Sequence, residues 1–135
     1  MISQLTVFLE NEKGRLAAAC RAVSDAGINM HALNLADTSD FGVVRMLTDT
    51  PEAAAEALRE QGYRATVTPV LAVRVPNVPG GLAKLLEFMD EQNANIEYGY
   101  CFSVNAETAV DVLKVEGTDD LEEKLTAAGF EPVRP

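Results

Sequence analysis

The strongest constraint on this chain is that it is written twice. Displaced against itself by about 66 residues, the sequence sets Leu5, Val7 and Leu9 on Leu71, Val73 and Val75. Asn11 falls on Asn77, Gly14 on Gly80, Leu16 on Leu82, Asn29 on Asn95 and Met30 on Ile96. Val44 meets Val110 and Leu47 meets Leu113. One additional residue, placed near Gly117, then brings Leu58 onto Leu125, Gly62 onto Gly129 and Tyr63 onto Phe130. Two copies are too few to stack as a solenoid. The reading is a duplicated domain, with modules at residues 1–69 and 70–135. At about 65 residues each copy buries only a modest core, so the two are expected to lean on one another.

Within a copy the hydrophobic period changes in a fixed order. Residues 2–10 alternate, with Leu5, Val7 and Leu9 on one face, which predicts a strand. A polar loop ends in Gly14. From Arg15 to Ala26, Leu16, Cys20 and Val23 recur at helical spacing, and Gly27 supplies the stop. Residues 28–38 and 42–48 read as strands joined through Ser39, Asp40 and Phe41. Thr50 is placed to cap a helix that opens with Pro51 and ends at Gly62, and residues 63–70 close the module as a strand. The second copy repeats the order. Its first helix carries Leu82, Leu85, Leu86 and Met89, and its second carries Leu121 and Leu125 behind Thr118 as cap. Strand–helix–strand twice over is the ferredoxin-like βαββαβ arrangement, an α+β class with both helices on one face of an antiparallel sheet.

Charge and composition exclude several functions. The 135 residues carry a net charge of −10, which repels phosphate backbones, so neither nucleic acid nor an anionic membrane is expected as a partner. No apolar run approaches the roughly 18 residues of a membrane span, and the N-terminus lacks the pattern of a signal peptide. A cytoplasmic location is expected. Cys20 and Cys101 are far apart and read as two reduced thiols in apolar surroundings. Soft-metal carriage needs paired cysteines near the first loop, and a dinucleotide fold needs a Gly-x-Gly-x-x-Gly turn; the chain has neither, and no cofactor is expected. Tyr98, Tyr100 and Phe102 alternate on one strand, but without basic neighbours they read as a buried or interface stripe rather than an RNA platform. The single histidine, His31, reads as a plain sheet residue. Glu122, Glu123, Asp119 and Asp120 read as a solvated first helical turn.

The informative places are the two strand–loop–helix junctions. They are Asn11-Glu12-Lys13-Gly14-Arg15-Leu16 and Asn77-Val78-Pro79-Gly80-Gly81-Leu82. Glycine lets a backbone approach a ligand closely, free amides at a helix start attract a carboxylate, and asparagine adds a donor and an acceptor. A free amino acid needs that mixture. The same residues also serve simply to make a turn and open a helix.

These motifs resemble the ACT domain family. The pattern is a strand, an Asn-x-x-Gly-x-Leu loop opening a helix, then Gly27-Ile28-Asn29-Met30 at the start of the second strand. The second copy resembles it through Asn77 to Leu82 and through Asn95-Ile96. The resemblance spans the chain and implies a regulatory, non-catalytic module that pairs side by side with another and binds an amino acid at the junction. It implies that Asn11, Lys13, Gly14, Arg15 and Leu16 face Asn95 and Ile96. Reciprocally, Asn77, Val78, Gly80, Gly81 and Leu82 would face Asn29 and Met30. Two departures stand out: Lys13 replaces the proline common before the glycine, and Asn93 replaces the helix-ending glycine of the second copy. The expectation is an amino-acid-binding sensor acting on a separate target enzyme. The alternative is a structural or protein-interaction module without a small-molecule ligand. A small enzyme is disfavoured, because no acid, base or nucleophile is organised in the sequence.

One further expectation concerns assembly. Ile96, Tyr98, Tyr100, Phe102 and Val104 alternate on one face of their strand. In the first copy Met30 shares that phase while Leu33 and Leu35 do not, so either apolar residues lie on both faces or a bulge swaps them. Exposed sheet faces or edges are expected to join two copies as a two-fold homodimer.

Overall fold

The computed structural model describes residues 1–37, 41–116 and 120–135. Two compact units emerge, Ser3–Thr68 and Met1–Ile2 with Pro69–Pro135. The first contains β1 (Ile2–Glu10, from Ser3 onward), α1 (Arg15–Asp25), β2 (Met30–Asp37), β3 (Phe41–Thr48), α2 (Pro51–Glu60) and the start of β4 (Arg64–Pro76). The second contains the rest of β4, α3 (Gly81–Glu91), β5 (Asn95–Ser103), β6 (Thr108–Glu116), α4 (Leu121–Ala127) and the two-residue β7 (Glu131–Pro132). The chain passes from one unit to the other inside a single strand, β4.

In the first unit the hydrogen-bonded order is β2-β3-β1-β4, and Thr6 meets Thr68 hydroxyl to hydroxyl at 2.9 Å. In the second the order is β5-β6-β4-β7. Both are the ferredoxin-like order, so the expected α+β class holds. Leu5, Val7 and Leu9 of β1 and Val44 and Met46 of β3 pack with Ala19, Val23 and Leu58 of the two helices. Only residues of one parity meet the helices, which puts both helices on one sheet face. Leu71, Val73, Val75, Leu113 and Val115 do the same with Leu85, Met89, Leu121 and Leu125.

The ladders correct the repeat alignment. Leu5 stands opposite Met46, and Leu71 opposite Leu113, so Met46 and Leu113 are equivalent. The extra residue of the second copy therefore enters between β5 and β6, not near Gly117. Val112 and Leu113 are both apolar, so either phase satisfies the hydrophobic pattern, and only pairing decides. Val44 is thus equivalent to Asp111, not to Val110.

The faces of the second strands also need correction. The register slips between Met30 and Ala32 and between Ile96 and Tyr98, so each strand bulges at the same place, His31 and Glu97. The bulge returns Ile96 to the helix side with Val115, while Tyr98, Tyr100 and Phe102 lie on the opposite face with Lys114, Val112 and Val110. In the first unit it aligns Met30 with Leu33 and Leu35 on the helix side, which is the second of the two readings offered by the sequence.

Other local expectations shift. Asn93 has φ +58°, the left-handed conformation that Gly27 supplies in the first unit, so the two helices end alike. Thr50 and Pro51 take the cap and first helical positions, but the Thr50 side chain makes no capping bond. Thr118 and Asp119 lie outside the described residues; Asp120 is the residue preceding α4. Glu122 is not simply solvated: it is half-buried and accepts the N-terminal ammonium. Cys101 is exposed on the edge strand, whereas Cys20 packs against the core, and burial pushes its thiol pKa up. The His31 imidazole pairs with the Asp49 carboxylate at the surface.

Candidate functional site

The two loop–helix junctions are built alike. Gly14 and Gly80 precede α1 and α3 with φ of +86° and +87°, and neither helix has a side-chain cap. A Cβ added at either glycine meets nothing within 4 Å, so the left-handed backbone, not crowding, selects glycine there. The first internal bonds are Ala18 N–H to Gly14 and Lys84 N–H to Gly80. The Arg15 and Gly81 amides are taken by the Glu12 and Val78 carbonyls; the next amides of a first helical turn have no partner within the helix, which suits a carboxylate.

The loops then differ. Asn11, Lys13 and Arg15 are exposed, and the Arg15 guanidinium bridges Glu10 at 3.2 Å and Glu12 at 3.4 Å within its own loop. Gly81 replaces Arg15 in the second unit because its backbone runs against the preceding strand. A Cβ there would lie 2.3 Å from the Pro76 carbonyl oxygen. The Asn77 amide donates to Ser103 Oγ at 3.5 Å and to the Asn105 carbonyl at 3.4 Å, tying the loop to the β5–β6 turn. Val78 and Leu82 are exposed.

At the second strands, Asn29 is exposed and its carbonyl accepts the Asp49 amide, while Met30 leans on the core together with Leu16. Asn95 is exposed, and Ile96 leans on the core of its own unit. Within the second unit, Leu82 and Ile96 come together as walls of one apolar cavity of about 300 Å³. The residues that complete that cavity, among them Leu86, Gly99, Asp111 and Leu113, were not singled out from the sequence. One signal was available: an acid standing between Ala109-Val110 and Val112-Leu113 in a strand whose neighbours are all apolar.

Asp111 is 2% exposed, and its Oδ2 has no hydrogen-bond partner among the described residues. Burial pushes its carboxyl pKa up. Among the described residues no three metal-ligating side chains gather, and no helix is long and apolar enough to cross a membrane.

A duplicated ferredoxin-like unit with paired glycine junctions defines a class of small two-module domains, and sequence comparison places the chain within it. Residues 1–130 match the family of ACT domain pairs, and the chain belongs to that family. A protein of Bacteroides thetaiotaomicron of known structure is 34% identical over 97% of this chain and 90% of its own, with a TM-score of 0.90. The ligand-free regulatory subunit of aspartate kinase from Thermus thermophilus superposes with a TM-score of 0.71 at 19% identity, over 93% of this chain and 89% of its own. The corresponding subunit from Thermus flavus gives 0.63 at 20%, over 82% and 81%. No curated protein matches the sequence.

Proposed function

We propose that this chain is a non-catalytic, cytoplasmic regulator that binds a free amino acid and passes the signal to a separate target enzyme. The observation that carries the reading is the duplicated junction: a left-handed glycine immediately before an uncapped helix, once in each module of an ACT pair. Such a helix start offers amides and a positive dipole end to a carboxylate. The fold that this chain shares with regulatory subunits of aspartate kinase supports a regulatory role. The ligand residues proposed are those of the sequence reading: Asn11, Lys13, Gly14, Arg15, Leu16, Asn29 and Met30 in the first copy, and Asn77, Val78, Gly80, Gly81, Leu82, Asn95 and Ile96 in the second. The two sites are not equivalent, because Asn77 is already engaged by Ser103 and Asn105 and Arg15 is engaged by two acids.

The same engagement favours a second reading, in which the loops serve only as turns in a protein-interaction module. Calorimetric titration with each standard amino acid separates the two. Saturable binding of at least one supports the sensor, and no binding by folded protein leaves the interaction module.

A further inference from the structure

The two copies differ most sharply on the helix side of β5 and β6. In the first unit Leu33 stands opposite Met46 and Leu35 opposite Val44. In the second, Gly99 stands opposite Leu113 and Cys101 opposite Asp111. Two leucines have become glycine and cysteine, and a fully buried valine has become an acid. Gly99 makes room for the Leu113 side chain, whose Cδ2 would lie 2.6 Å from a Cβ there, and a cavity of about 300 Å³ lies beside Gly99, Cys101 and Asp111. Leu82, Leu86, Ile96 and Leu113 give it apolar walls, and Asp111 is the one acid among the described residues that line it.

A carboxylate in such a place is costly. It has lost water, and its Oδ2 gains no donor among the described residues in return. Nothing in the packing requires it, since the equivalent position of the first unit is filled by Val44 at 0% exposure. A cation entering the cavity offsets the cost by giving the buried oxygen a charge-assisted hydrogen bond. A multidentate metal is not favoured, because Asp111 and Cys101 are two ligating side chains and no group of three gathers among the described residues.

We infer that this cavity of the second module binds a primary ammonium group on a small apolar body, with the Asp111 carboxylate as counter-ion. The inference deepens the amino-acid reading and rests on it for the ligand's identity, the ammonium then being the α-amino group of an aliphatic amino acid. Leu82, on the first turn of α3, links this cavity to the junction at Gly80.

The test is an NMR titration of the full chain with valine, leucine, isoleucine, 3-methylbutylamine and the uncharged 3-methyl-1-butanol. Wild type is compared with Asp111→Asn and Asp111→Val, the latter carrying the residue that already folds in the first unit. The expected result is that the amine and at least one of the amino acids shift the Gly99 and Leu113 amides while the alcohol does not. Both variants should weaken binding by about tenfold or more. Equal binding of alcohol and amine, unchanged binding by either variant, or no binding of any probe overturns the inference. Amino-acid binding that survives Asp111→Val overturns it and leaves the amino-acid reading standing. Binding of the amine at Asp111 without any of the three amino acids supports the ammonium site and overturns its assignment to the α-amino group of an aliphatic amino acid.

Discussion

Asp111 and Val44 occupy the same position of the duplicated fold. Val44 faces Val7 and Leu35 across its ladders, Asp111 faces Val73 and Cys101, and both are buried on the helix side of a central strand. One module completes its core with a methyl pair; the other places there a carboxylate oxygen that has no hydrogen-bond partner among the described residues.

Exchanging the two residues should therefore have opposite effects. Asp111→Val removes a buried, unsatisfied polar atom and should stabilise the protein by about 1–3 kcal/mol in denaturant unfolding. Val44→Asp introduces the same burden into a fully apolar core and should cost about 3 kcal/mol or more. Destabilisation by Asp111→Val would show that the acid has a structural partner.

The pH dependence follows from the raised pKa of Asp111. Between its unfolded pKa and the higher folded one, the folded state holds more protons than the unfolded, so this group's contribution to stability falls as pH rises through that window. The stability advantage of Asp111→Asn over wild type should be small near pH 4 and grow towards neutral pH. A constant difference across thermal melts in that range contradicts the assignment.

Gly81 and Gly14 should respond differently to alanine. At Gly81 the new Cβ meets the Pro76 carbonyl oxygen at 2.3 Å, so the loop must move and the loss should exceed that at Gly14. At Gly14 the space is open and only the left-handed backbone resists, at roughly 1–2 kcal/mol. Paired unfolding curves of the two variants decide the order.

Most of the architecture was legible because the duplication constrains it: an alternating strand, a helix stopped by Gly27 or Asn93, and Leu58 and Leu125 on the second helices. What escaped was decided by pairing alone. The bulges at His31 and Glu97 leave no mark in composition, and they move Ile96 away from Tyr98 and Tyr100. The slip that equates Asp111 with Val44 was hidden because Val110, Val112 and Leu113 offer apolar residues at both phases. The glycine junctions were readable as turns, but the cavity was not, because it depends on Gly99 admitting the Leu113 side chain and on the pairing that brings Cys101 opposite Asp111.

The bulge also sharpens the assembly proposal. Tyr98, Tyr100 and Phe102 are half-buried on the sheet face opposite the helices, without Ile96. If that face joins two copies, light scattering should report about twice the 14.5 kDa chain mass, and Tyr100→Glu should shift it towards monomer. A wild-type monomer at ~100 μM rejects this interface.

The central claim is that the paired modules bind a free amino acid, and isothermal titration of the folded chain with each standard amino acid addresses it most directly. The account predicts saturable binding of at least one, weakened by Gly80→Val, which forces a β-branched residue into the left-handed conformation before α3. Absence of heat and of any thermal stabilisation for every amino acid tested, with the protein shown to be folded, contradicts it.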